Sequence, residues 1–89
     1  MSETTVQSVD RALTLLEVLS DHEEGLGITE ISTKIELHKS TVHRLLGTLI
    51  NKGYVKKVGS GNKYKLTMKL FELGRKTIEK VDVIKVSRP

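Results

Sequence analysis

The spacing of apolar residues changes at Gly53, and that change restricts what this chain can fold into. Upstream of Gly53 the apolar residues recur at helical spacing. Downstream, two short runs of β-type residues flank a turn. Val42, Leu45, Leu46, Leu49 and Ile50 give the i, i+3, i+4, i+7, i+8 stripe of a core-facing helix, predicted over about 39–52. Gly53 follows where a helix end takes left-handed backbone. Tyr54-Val55-Lys56-Lys57-Val58 and Lys63-Tyr64-Lys65-Leu66 then surround Gly59-Ser60-Gly61-Asn62, which reads as a hairpin. In the second arm Tyr64 and Leu66 face in, and Lys63 and Lys65 face out. Alternation is looser in the first arm. A lone hairpin is marginal in water, so this one has to pack on helices.

The rest of the chain supplies those helices. Val9, Ala12, Leu13, Leu16 and Leu19 predict a first helix over about 8–21, with Ser8 as its cap and Asp10 at the positive end of its dipole. Asp21 to Gly27 is a loop rich in glycine and charge. Gly27-Ile28 has room for no more than a strand fragment. Thr29 is placed to cap a short second helix over about 30–36, with Ile31 and Ile35 as an apolar pair and Leu37 in the turn that follows. Thr67 is placed to cap a last helix through Met68, Leu70, Phe71 and Leu73 to about Lys76, weakened by Gly74. Val81 to Val86 is apolar with little left to pack on, and reads as a fragment of something longer. The order is helix, strand fragment, helix, turn, helix, hairpin, helix. The expected fold is mainly α with a small antiparallel β-wing, a winged helix-turn-helix.

With 89 residues the chain has room for one small domain, and not for a catalytic cleft beside a separate binding domain. It contains no cysteine, which excludes disulfides and thiolate metal sites and fits a reducing compartment. The N-terminus lacks the basic start and apolar core of a signal peptide, and no apolar run approaches the roughly 20 residues of a membrane helix. A soluble, cytoplasmic protein is expected, with no membrane partner.

Charge is unevenly placed. Residues 1–36 hold eight acids and two bases, Arg11 and Lys34. Residues 37–71 hold eight bases (Lys39, Arg44, Lys52, Lys56, Lys57, Lys63, Lys65, Lys69) and no acid. Such a stretch is a focused positive field, suited to a polyanion, of which DNA is the commonest. The third helix carries the sharpest local signal. A helix N-terminus is positive and prefers acids nearby, as at Asp10 and Glu30. The third helix opens instead with Lys39-Ser40-Thr41-Val42-His43-Arg44. Cations there destabilise the helix unless an anion arrives. A phosphate would turn that penalty into affinity, through free backbone amides and the Ser40 and Thr41 hydroxyls.

In a helix-turn-helix the second helix of the pair enters the major groove, which is about 12 Å wide and admits one helix. Arg44, Ser40, Thr41 and His43 are therefore the expected base or near-base contacts, with Thr48 on the same helix. Lys39, Lys56, Lys57 and Lys63 are the expected phosphate contacts, the last three on a glycine-tipped wing that can approach a backbone closely. Other residues read more plainly. His22, His38 and His43 match no metal-ligand spacing, so no metal is expected. Tyr54, Tyr64 and Phe71 read as core around the hairpin rather than as base-stacking groups. Met68, Leu70, Phe71 and Leu73 are either core or a dimer surface next to the first helix. No paired carboxylates, triad or phosphate loop appear, and an enzyme is not expected. The rival from another class is a winged-helix protein-interaction module whose basic face docks an acidic partner.

Ser8-Val9-Asp10-Arg11-Ala12-Leu13, Ile28-Thr29-Glu30-Ile31, Lys39-Ser40-Thr41-Val42-His43-Arg44-Leu45-Leu46, Gly53-Tyr54-Val55, Tyr64-Lys65-Leu66 and Leu73-Gly74 together resemble the N-terminal winged helix-turn-helix domain of IclR-type transcriptional regulators. The resemblance covers about residues 6–86. It implies a sequence-specific DNA-binding regulator, expected to be a repressor, that binds a palindromic operator as a homodimer through its first and last helices. It also implies a separate C-terminal domain that binds a small-molecule effector. On that reading residues 1–80 are the DNA-binding domain and 81–89 the start of a linker to an effector domain outside this sequence, and no cofactor is expected in the fragment. The chain departs from the family pattern at Glu36, where glycine is frequent, and at His38, where proline is common. A non-glycine residue at a left-handed position 36 would strain the turn by roughly 1–2 kcal/mol.

Overall fold

The helical stripes converge on one core. The computed structural model describes residues 5–59 and 61–86, with side chains through Ile78. Its elements are α1 (Gln7–Ser20), α2 (Ile28–Ile35), α3 (Lys39–Asn51), β1 (Val55–Val58), β2 (Lys63–Leu66) and α4 (Lys69–Val86). Leu15 and Leu19 of α1, Ile31 of α2, and Val42, Leu46 and Leu49 of α3 meet in the interior. A fully buried side chain of this kind contributes roughly 1.5–3 kcal/mol relative to exposure, so the three helices hold one another in place. The hairpin adds Val55 and Tyr64 to the same core, which anchors a ribbon that would be marginal alone.

β1 and β2 pair antiparallel, with Val55 opposite Leu66, Lys56 opposite Lys65, Lys57 opposite Tyr64 and Val58 opposite Lys63. The strand fragment before α2 also exists, one or two residues earlier than expected. Leu26 and Tyr64 exchange backbone hydrogen bonds of 2.9 and 2.8 Å. Gly25, at φ +93°, makes this approach possible, because a Cβ there would lie 2.9 Å from the Tyr64 carbonyl oxygen. The wing is thus bonded to the loop that leads into α2.

Several element ends differ from the sequence expectation. α1 starts at Gln7, and no side chain caps it, so Ser8 lies inside the helix. Val9 and Leu13, expected in the α1 core stripe, are 55% and 54% exposed, and Leu15 takes the central place. α2 starts at Ile28 with Gly27 as its N-cap residue. The Gly27 N–H donates to the Glu30 carboxylate at 2.9 Å, and Thr29 is an exposed helical residue rather than the cap. The Glu30 carboxylate reaches the amide one turn back, which moves the start upstream. Thr67 does receive the Lys69 N–H, at 3.1 Å, and its hydroxyl donates to the Gly53 carbonyl at 2.6 Å. α4 does not stop near Lys76 but continues to Val86, so a division at 80/81 falls inside one helix. Gly74 and the β-branched residues after it weaken helix propensity without ending the helix. Phe71, read as core, is 59% exposed.

The turn between α2 and α3 contains a strained residue. Glu36 is left-handed, at φ 57° and ψ 50°. The chain turns there within three residues. The Ser32 carbonyl receives the Leu37 N–H at 3.2 Å, and the Ser32 hydroxyl bonds to the Leu37 carbonyl.

Candidate nucleic-acid interface

α3 has two faces because its core contacts recur at helical spacing. Val42, Leu46 and Leu49 point inward, which leaves Ser40, His43, Arg44, Gly47 and Asn51 exposed on the opposite side. The N-cap residue His38 is extended and makes no side-chain cap bond, and the first turn contains no acid. α1, α2 and α4 have Asp10, Glu30 and Glu72 in their first turns. The start of α3 is therefore the exception among the four helices of the described residues. Its free amides and exposed Lys39 and Ser40 face solvent with the positive end of the dipole uncompensated.

The expected contact residues fall into three places. Thr41, Arg44 and Thr48 line a cleft against α1, where Ser8 and Arg11 complete the wall. Thr41 is half-buried, Arg44 and Thr48 are exposed, and the Thr48 hydroxyl donates to the Arg44 carbonyl at 3.3 Å. His43 and Lys57 line a second cleft, between α3, the start of α2 and the wing, together with Thr29, Glu30 and Asn62. The Lys57 ammonium lies 5.9 Å from the centre of the Tyr64 ring, the residue opposite it in the hairpin.

The strand register separates the remaining lysines. Residues opposite each other in an antiparallel pair share a face, and faces alternate along each strand. Lys57 shares the helix-packed face with Val55, Tyr64 and Leu66. Lys56 and Lys63 lie on the other face and are exposed. Lys65 shares that face but is half-buried and lines a groove with Ser20, His22 and Glu23, so it does not stand fully outward. Six of the nine expected residues (Lys39, Ser40, Thr41, His43, Arg44 and Thr48) thus lie on α3, Lys57 faces the same side as the helices, and Lys56 and Lys63 lie on the outer side of the wing.

Arg11, which was not among the expected contact residues, lies beside several of them. It lines two clefts along the start of α3, one with Thr41, Arg44 and Thr48 and one with Glu36, His38 and Thr41. The available signal was its isolation, since Arg11 is one of only two bases in the first 36 residues.

A second surface has the opposite character. Val9 and Leu13 of α1 and Leu73 of α4 are exposed, and with Ala12, Leu45 and Leu70 they line an apolar groove of about 530 Å³. Met68 and Phe71 are also exposed, at 63% and 59%, while Leu70 is half-buried against the core. Among the described residues no group of three or more His, Cys, Asp or Glu side chains is placed to hold a metal ion, and no helix is long and apolar enough to cross a membrane.

Residues 8–59 match the profile of the IclR helix-turn-helix domain. Over 81 residues the chain is 44% identical to the HTH-type transcriptional regulator KdgR of Dickeya chrysanthemi, covering 91% of this chain and 26% of that protein. It is 37% identical over 83 residues to the DNA-binding transcriptional repressor YiaJ of Escherichia coli (strain K12), covering 93% of this chain and 29% of that one. The crystal structure of an IclR family transcriptional regulator from Brucella abortus superposes with a TM-score of 0.82 at 30% identity, over 94% of this chain and 32% of that one. The chain spans about a quarter to a third of the length of these relatives. Each of these relatives is named as a transcriptional regulator or repressor. The chain belongs to the IclR family of transcriptional regulators, and its fold is that family's winged helix-turn-helix domain.

Proposed function

We propose that this domain binds double-stranded DNA sequence-specifically in the cytoplasm, as the DNA-reading part of a repressor. α3 lies in the major groove, with Arg44, Ser40, Thr41 and His43 at base edges and Thr48 beside them. Lys39, Lys56, Lys57 and Lys63 hold phosphates. The single observation that carries this reading is the start of α3, exposed, cationic and without an acid in its first turn. The cleft that joins His43 to Lys57 supports a wing that grips the backbone next to the groove.

The protein acts as a homodimer on a palindromic operator. The exposed Val9, Leu13 and Leu73 support this, since they line an apolar groove between α1 and α4 that a second copy would cover. The second copy packs α1 and α4 against their equivalents. Residues 81–89 lead toward an effector-binding domain in the longer protein, as the share of each relative covered by this chain suggests.

The test is titration of duplex DNA at several salt concentrations. Each phosphate neutralised contributes about −0.9 to the slope of log K against log salt, so the four lysines predict a slope of about −3.6 per chain. A flat salt response, or no binding at low salt, overturns the reading and favours the rival, a basic face that docks an acidic protein.

A further inference from the structure

Gly47 stands in the interior of α3, where a glycine weakens the helix relative to alanine. Each structural reason for a glycine is missing here. Its φ is not among the positive values, so no left-handed backbone requires it. A Cβ built on it meets nothing within 4 Å, so no neighbouring element packs too closely for a side chain. It does not end the helix, since Lys52 is the C-cap and Gly53 takes the left-handed position behind it. Among the described residues nothing asks for this glycine.

Its surroundings lie outward. Gly47 is exposed at the middle of the face that carries Ser40, His43, Arg44 and Asn51. His43 and Arg44 stand one turn before it, and Ile50 and Asn51 one turn after. The flanking side chains are about seven residues apart, or roughly 10 Å along the axis. Between them the bare backbone forms a notch in the ridge.

We propose that Gly47 is a DNA-contact position, where the α3 backbone comes within van der Waals distance of the duplex and a side chain would hold the helix away. The inference rests on the DNA-binding reading above. A missing side chain is here a contact feature: the notch lets the helix sit deep enough for Ser40, His43 and Arg44 to reach base edges.

The test uses Gly47→Ala and Gly47→Leu in the 89-residue chain. The probe is a duplex recovered from a random pool by the unsubstituted chain. Thermal unfolding and fluorescence anisotropy are read on the same samples. Gly47→Ala is expected to raise Tm by roughly 2–8 °C, because alanine relieves the helix-interior penalty. The same substitution is expected to weaken the duplex about tenfold, and Gly47→Leu by more. A raised Tm with unchanged affinity overturns the inference and leaves the DNA reading standing. An unchanged or lowered Tm also overturns it, since the glycine then carries no penalty for a contact to offset. If the unsubstituted chain recovers no duplex, the DNA reading itself fails.

Discussion

Glycine at position 36 should make this protein more stable, and the size of the gain follows from one dihedral pair. Glu36 sits at φ 57° and ψ 50°, the centre of the left-handed region, between α2 and α3. For a residue with a Cβ that conformation costs roughly 1–2 kcal/mol. Glycine removes the clash but gives the unfolded chain more freedom, which costs about 0.4–1 kcal/mol. The difference predicts a net stabilisation of about 0.5–1 kcal/mol for Glu36→Gly. For a domain of this length that raises Tm by roughly 2–8 °C. The assay is thermal unfolding of Glu36→Gly beside Glu36→Ala at matched pH and salt. Alanine removes the carboxylate and keeps the strained backbone, so it should not stabilise. Equal gains in both variants would place the effect in the Glu36 side chain rather than in the backbone, against the attraction expected from Arg11 in the same cleft. No gain in Glu36→Gly would refute the strain argument outright.

Other substitutions separate fold from recognition. Gly25→Ala should destabilise by about 2–4 kcal/mol, as strain at φ +93° adds to a Cβ 2.9 Å from the Tyr64 carbonyl; denaturant unfolding should show the lowered midpoint. Arg44→Ala should lose about 1–3 kcal/mol of discrimination at one base pair, visible as a relaxed preference in a binding-site selection. Lys57→Ala should weaken all sequences alike and flatten the salt slope by about 1; an unchanged slope would remove the wing from the interface. Leu13→Glu, at a 54% exposed position, should shift sedimentation toward monomer while the helical far-UV spectrum is kept.

What could be read from the sequence was local. The α3 stripe, the turn at Gly53 and the hairpin all follow from short-range periodicity and turn chemistry, and they agree with the structure except at Ile50, read into the core stripe but 39% exposed. The left-handed backbone at Glu36 was signalled only through the family resemblance, in which glycine is frequent at that position. Features that depend on distant partners were not legible. Gly25 looked like one loop glycine among several until Tyr64 came within bonding distance of Leu26. The lysines of the wing looked equivalent until strand pairing put Lys57 on one face and Lys56 and Lys63 on the other. Arg11 was passed over because its neighbours in sequence are acidic and apolar, whereas its neighbours in space belong to α3. The end of α4 was misjudged because weak local propensity does not terminate a helix by itself.

The two backbone bonds between Leu26 and Tyr64 have one more consequence. They rivet the hairpin, one residue pair from its turn, to the segment before α2, so the gap between hairpin and α3 is a fixed gauge rather than an adjustable grip. On the docking proposed above, a duplex whose groove width departs from that gauge would have to deform to fit, and sequences that deform easily would gain an advantage at positions no side chain touches.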